Sequence, residues 1–188
     1  MNQSHRYTTV AIALHWLIAL LIIGQLIGGL VMVRLPFTTL KFEIYQWHKS
    51  FGVTILMLSF LRLAWRLGHK PPPLPEKMDS LQKTMAGLSH ALLYIFMIAM
   101  PLIGWAMVSV SPKNIPTVLF KTLPWPHIPG VPQSEQWEQF FSSAHEYLAY
   151  GFIALLVLHV AAALKHHYVD RDDVLVRMAP IFKRKEKV

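Results

Sequence analysis

Four stretches of this chain are apolar for long enough to cross a bilayer, and histidines are prominent among the polar residues that interrupt them. About 20 consecutive apolar residues cover the hydrocarbon core of a membrane. The first stretch runs from Val10 to Val33 and holds only His15 and Gln25 as strongly polar residues. The second runs from about Trp47 to Arg66 and carries His48, Lys49 and Arg62; the third covers Ala86 to Val110 and the fourth Ser143 to Leu164. Between the second and third lies Pro71-Pro72-Pro73-Leu74-Pro75, which cannot be helix. Between the third and fourth, Pro112 to Pro132 contributes six prolines, an extramembrane connection. The pattern predicts an all-α, integral-membrane four-helix bundle with helices near 10–33, 47–66, 86–110 and 143–164. It forms one domain over residues 1–188, with a tail from 165 to 188. No internal repeat or low-complexity tract interrupts it.

Composition agrees with a membrane solvent: 54% of the side chains are hydrophobic and only 15% charged, against about 25% charged in a soluble domain. The first apolar stretch is too long for the core of a cleavable signal peptide, and no Ala-x-Ala site follows it. The net charge of +8 is no argument for nucleic acid, because Lys and Arg gather at the edges of the apolar segments. With both termini inside, the inner segments carry Arg6, Arg66, Lys70, Lys77, Lys83 and seven more from Lys165 to Lys187. The outer segments carry Arg34, Lys41, Lys49, Lys113 and Lys121, so the bias is twelve against five. Positive charge stays cytoplasmic, so both termini are expected in the cytoplasm.

The candidate chemistry lies inside the spans, where an ionisable residue is costly and marks function by default. His145 and His159 are 14 residues apart on the fourth helix, a separation that returns to within about 40° of one face and covers about 21 Å. His15 matches His159 in depth, and His48 matches His145. The absence of cysteine removes thiolate sites, iron–sulfur clusters and covalent haem attachment, and two histidines alone make a poor zinc site. Two level pairs of imidazoles, His15/His159 and His48/His145, fit axial ligation of two non-covalent haem b groups in a bundle core.

Small residues near the pairs leave room for a cofactor or simply pack helices: Gly29 stands 14 residues after His15, and Gly52 one turn after His48. Arg62, 14 residues after His48, reaches the inner level, where it pairs with a propionate or a quinone oxygen, or else snorkels. His90 enters the third helix without a matched partner and is a candidate for a haem-edge or quinone contact. Lys49, next to His48, is a candidate for steering an anionic donor, or else an interfacial anchor. His166 and His167 are expected at the interface, and His5, His69 and His127 on solvated surface.

These residues resemble the bacterial cytochrome b561 family over nearly the whole chain. The matching pieces are Arg6-Tyr7 with His15-Trp16; His48, Arg62 and Trp65-Arg66 before the Pro-rich loop; and Gly87-Leu88-Ser89-His90 with Pro101-Leu102-Ile103-Gly104. The most specific are His145-Glu146, His159, Leu164-Lys165-His166-His167-Tyr168, Arg171-Asp172 and Arg177-Met178-Ala179-Pro180. The resemblance implies a bacterial inner-membrane protein with two b haems at the positions of His15, His48, His145 and His159, exchanging electrons with membrane quinone. One activity of such proteins is oxidation of superoxide on the outer side.

Three function classes follow. The first is an oxidoreductase linking a small one-electron donor, superoxide or a redox protein, to quinone. The second is the cytochrome b anchor subunit of a larger respiratory dehydrogenase. The third is a haem-free transporter or scaffold, which a b-type spectrum of a membrane extract would exclude.

Overall fold

The structure is a computed structural model that describes residues 6–76 and 78–182. Four long helices make the bundle: α1 (Thr9–Met32), α2 (Thr39–Gly68), α3 (Ser80–Val110) and α4 (Glu135–Lys165). All four are long and apolar enough to span a membrane. Three of them start well before the apolar windows do. The reason is capping: the side chains of Thr38, Asp79 and Ser134 accept from the amides of Lys41, Gln82 and Trp137, meeting donors that a helix start leaves unpaired. Apolar length reports the thickness of lipid to be crossed, whereas the cap decides where the helix begins.

The exterior is apolar, as lipid requires. Leu20 is 67% exposed, Ile27 59% and Leu158 66%, while the two most deeply buried side chains are Ser50 and Ser59. Small residues inside let membrane helices approach closely. The central packing cluster is Ile18, Ile22, Ile55, Met97 and Phe152. The helices pack in sequence, α1 on α2, α2 on α3 and α3 on α4, whereas α4 has almost no close backbone contact with α1 or α2. Side chains bridge that gap.

The proline-rich connection is more than a loop. Within it β1 (Thr117–Leu119) and β2 (Leu123–Trp125) pair antiparallel, with Thr117 opposite Trp125 and Leu119 opposite Leu123. Phe120 and Lys121 turn the chain at φ 51° and 61°, a left-handed conformation that costs non-glycine residues about 1–2 kcal/mol each. Contacts with α2 offset that cost. The Phe120 amide donates to Ser50 Oγ at 2.9 Å, and its ring packs on Trp47 and Phe51 at 5.8 and 5.6 Å. Gln46 donates to the Pro116 carbonyl and accepts from the Val118 amide.

The opposite end is closed by the segment that follows α4. After α4 a π-helical turn, His166–Asp170, and a left-handed Arg171 (φ 58°) redirect the chain into the short helix α5 (Val174–Met178). There Trp16 Nε1 donates to the Met178 carbonyl at 2.9 Å. Arg177 donates to the Pro73 carbonyl and pairs with Asp173 at 2.9 Å. The bundle thus has a hairpin end and a terminal end.

Candidate metal centres at two histidine pairs

At the hairpin end, His48 of α2 and His145 of α4 meet with ring centroids 6.2 Å apart and planes at 71°. At the terminal end, His15 of α1 and His159 of α4 meet at 6.3 Å and 66°. Two imidazoles bound through nitrogen at about 2.0–2.1 Å on opposite sides of one metal ion put their ring centres about 6 Å apart. Both separations suit that arrangement, and both pairs stand in the gap that α4 leaves with α1 and α2. The Nδ1 atom of His48 is buried with no hydrogen-bond partner among the described residues, and the His145 ring lies against the Met100 backbone.

Glycines open the space around the hairpin-end pair. A Cβ on Gly29 would lie 3.5 Å from His48 Cε1, and one on Gly104 would lie 3.3 Å from His145 Cε1. These close approaches, the paired imidazoles and the gap fit a flat, bis-imidazole-ligated haem. Gly52, by contrast, faces open space and shapes nothing.

The layering has a simple origin. Taking steps of seven along each helix gives His15–Ile22–Gly29, His48–Ile55–Arg62, His90–Met97–Gly104 and His145–Phe152–His159. The middle member of every set belongs to the central core. A seven-residue repeat keeps one stripe facing the partner helices when they supercoil left-handedly. Each helix therefore contributes one residue to the hairpin-end level, one apolar residue to the midplane and one to the terminal-end level. Gly104 was not singled out from the sequence, yet this step of seven, started at His90, points to it.

The terminal-end level is richer in polar groups. His90 also approaches His159, at 5.8 Å between centroids, so three imidazoles share this level. Arg62 donates from Nε to Tyr94 Oη and from Nη1 to the Ala11 carbonyl, both at 3.2 Å, and its charge acts on His15, His90 and His159. Arg62 is therefore held inside the bundle and does not snorkel. Arg66 stacks 5.9 Å over the Tyr94 ring. Tyr94 was not anticipated; its place one turn after His90 is the only signal the sequence offers. Together with Tyr7, Ala11 and Trp65 these side chains line a small surface cleft.

Several expectations need correcting. Lys49 is also a clamp on the hairpin, its Nζ donating to the neutral Pro116 carbonyl at 3.3 Å, a bond that leaves its positive charge in place. Two further cations expected outside are paired, Lys121 with Glu43 at 3.2 Å and Lys113 with Glu138 at 3.4 Å. His127 is not simply solvated: its Nε2 is buried in the segment that folds back over α3. His167 is buried at 7% exposure beside Phe182 rather than interfacial. His166 is bound by Asp172 at 2.7 Å. His69 is exposed and stacks on Trp65 at 4.0 Å. His5 lies outside the described residues.

Known proteins resemble this chain over nearly its whole length. The family model described as "Prokaryotic cytochrome b561" matches residues 6–180. The chain is 31% identical to cytochrome b561 homolog 2 of Escherichia coli K12, covering 94% of this chain and 93% of that one. It is 27% identical to cytochrome b561 homolog 1 of the same organism, over 94% and 98% of the two chains. It is 28% identical to the probable superoxide oxidase CybB of Yersinia pestis, over 93% and 96%.

Proposed function

Since this chain belongs to the prokaryotic cytochrome b561 family, whose bacterial inner-membrane proteins bind haem b and carry electrons across the membrane, we propose that it holds two haem b groups. One sits between His48 and His145 and the other between His15 and His159. In this reading electrons pass between a small one-electron partner at the hairpin end and membrane quinone. Both termini are cytoplasmic and the hairpin faces the periplasm, in keeping with the twelve-to-five distribution of Lys and Arg. The observation that carries the reading is the pair of ring separations, 6.2 and 6.3 Å, at two levels of one bundle.

A haem held between each pair of histidines would supply a one-electron iron couple suited to electron transfer rather than oxygen chemistry. The protein's own groups prepare the sites for that use. His145 and His159, on one stripe of α4, stand about 21 Å apart along the helix axis and would hold the two groups at separate levels. Ile22, Ile55, Met97 and Phe152 fill the space between the levels and exclude water from it, and Phe96 extends this layer with its ring 5.4 Å from that of Phe152. Arg62 supplies a fixed positive charge at the terminal-end level, suited to a propionate. His90 and the cleft beside Arg66 offer donors where a quinone oxygen could dock. At the other end, superoxide as donor draws support from the relative named a probable superoxide oxidase.

The test is an anaerobic redox titration of the purified chain, followed by exposure to a superoxide flux with and without a soluble quinone. Two b-type components of equal amplitude, reduced by superoxide and reoxidised by quinone, are expected. One haem per chain would overturn the two-site reading. Two haems that superoxide leaves oxidised would redirect the donor to a protein partner, as in a dehydrogenase anchor subunit.

A further inference from the structure

The hairpin segment from Thr117 to His127 carries three buried side-chain polar atoms that nothing among the described residues satisfies: Thr117 Oγ1, Trp125 Nε1 and His127 Nε2. Buried polar groups are met in the great majority of cases, so three in one short segment call for a common partner. Thr117 is 4% exposed and stands opposite Trp125 across the hairpin. Directly opposed residues on paired strands project to the same side, and Thr117 and Leu119 are the buried positions of β1. The side chains of Thr117 and Trp125 therefore lie together on the inward face. His127 follows in a segment pinned to α3, where Trp105 Nε1 donates to the Pro126 carbonyl at 2.8 Å and the Ile128 amide donates to Ser109 Oγ at 3.0 Å.

This inward face is fastened on both sides of the His48/His145 pair. On one side Gln46, Lys49 and Ser50, which bracket His48 on α2, hold Pro116, Val118 and Phe120. On the other side Trp105 packs on Trp125 at 5.7 Å. Trp105 directly follows Gly104, whose backbone abuts the His145 ring. An indole N–H can only donate, and a hydroxyl or a neutral imidazole can donate as well, whereas an ionised carboxylate can only accept. The unmet atoms and a carboxylate are chemical complements.

We propose that the inward face of the hairpin is a carboxylate receptor, in which the Trp125 indole, the Thr117 hydroxyl and the His127 imidazole take the propionates of the haem held by His48 and His145. The assignment rests on the ligation reading above and adds positioning residues to it. Hydrogen bonds around a haem are one of the levers that set its potential. Donors on the propionates offset their negative charge. Removing one leaves more negative charge beside the iron, favours the ferric state and lowers the midpoint.

The experiment uses the holoprotein with Trp125→Phe, which keeps the ring and removes the N–H, and Thr117→Val, which keeps the shape and removes the hydroxyl. Trp137→Phe, at an exposed position of α4, is the control. Haem per chain, both midpoints and the propionate bending bands in the resonance Raman spectrum are measured. At the parent's midpoint, the reduced-to-oxidised ratio of the hairpin-end haem should fall by about threefold to tenfold in either variant, tenfold being 59 mV for a one-electron couple. Its propionate bands should shift, while the other haem and the control stay at parental values. If Trp125→Phe fails to fold, Thr117→Val carries the same readouts alone. Unchanged midpoint and propionate bands in a haem-replete variant overturn the receptor. If His145→Ala left the haem content unaltered, the ligation reading and the receptor would fall together; if it removes one haem while the receptor variants change nothing, the receptor falls alone.

Discussion

Replacing Gly104 by alanine asks the His145 ring to yield by a few tenths of an ångström, because the new Cβ would stand 3.3 Å from Cε1 and 3.6 Å from Nδ1. Valine at the same position puts two more carbons on that Cβ, toward a ring that already fills the space, so the imidazole must leave its place. Overpacking of this kind costs about 1–3 kcal/mol. If that cost falls on the ligated geometry, affinity for the hairpin-end haem drops by a factor of about 5 to 150, since about 1.4 kcal/mol is tenfold. Two other glycines calibrate the effect. At Gly29 the Cβ would meet His48 Cε1 at 3.5 Å, an ordinary contact, and at Gly52 it meets nothing. Gly52→Ala should be neutral or stabilise by up to about 1 kcal/mol through helix propensity. The expected order of haem loss is therefore Gly104→Val, then Gly104→Ala, then Gly29→Ala, with Gly52→Ala at the parental level. Haem per chain from the pyridine haemochrome and the two components of a redox titration measure it. Full occupancy and an unchanged midpoint in Gly104→Val would refute the placement of Gly104 against a ligand.

The histidines themselves give the sharpest separation: His145→Ala should abolish the hairpin-end haem and spare the other, and His159→Ala the reverse. A double variant that still carried two haems with parental spectra would sink the assignment. For topology, reporter fusions after Val188 and within Lys70–Lys83 should read cytoplasmic and one within Pro124–Pro132 periplasmic; a periplasmic C-terminus would reverse which pair faces which compartment. Lys49→Gln should slow reduction by superoxide roughly threefold at low salt, a small part of the range that electrostatic steering covers. The deficit should fade as salt screens the attraction in the parent. Lys49→Arg should keep the rate, and an unchanged rate for Lys49→Gln at low ionic strength would confine Lys49 to its clamp on Pro116.

What the sequence determined by itself follows from the lipid solvent. Hydrocarbon offers no hydrogen bonds, so a spanning segment must be a long apolar helix, and the four spans could be read from apolar length alone. The same solvent makes His15, His48, His145 and His159 conspicuous, and helical rise converts their positions into depth. Depth is a one-dimensional coordinate, however, and most of the site depends on the other two. Nothing local says that α4 stands off from α1 and α2, that His90 turns toward His159, or that Gly104 backs onto His145. Those are facts about how helices are rotated against one another, settled by the packing of Ile22, Ile55, Met97 and Phe152 at the midplane. The hairpin was still less legible. Its prolines read as loop, and its turn residues Phe120 and Lys121 are poor left-handed formers. It holds its shape because Ser50 and Gln46, some 70 residues earlier in the chain, supply partners for its backbone. Burial of the His127 Nε2 atom follows from the same fold-back, since whether a loop imidazole meets water depends on what closes over it, and only the tertiary structure decides that.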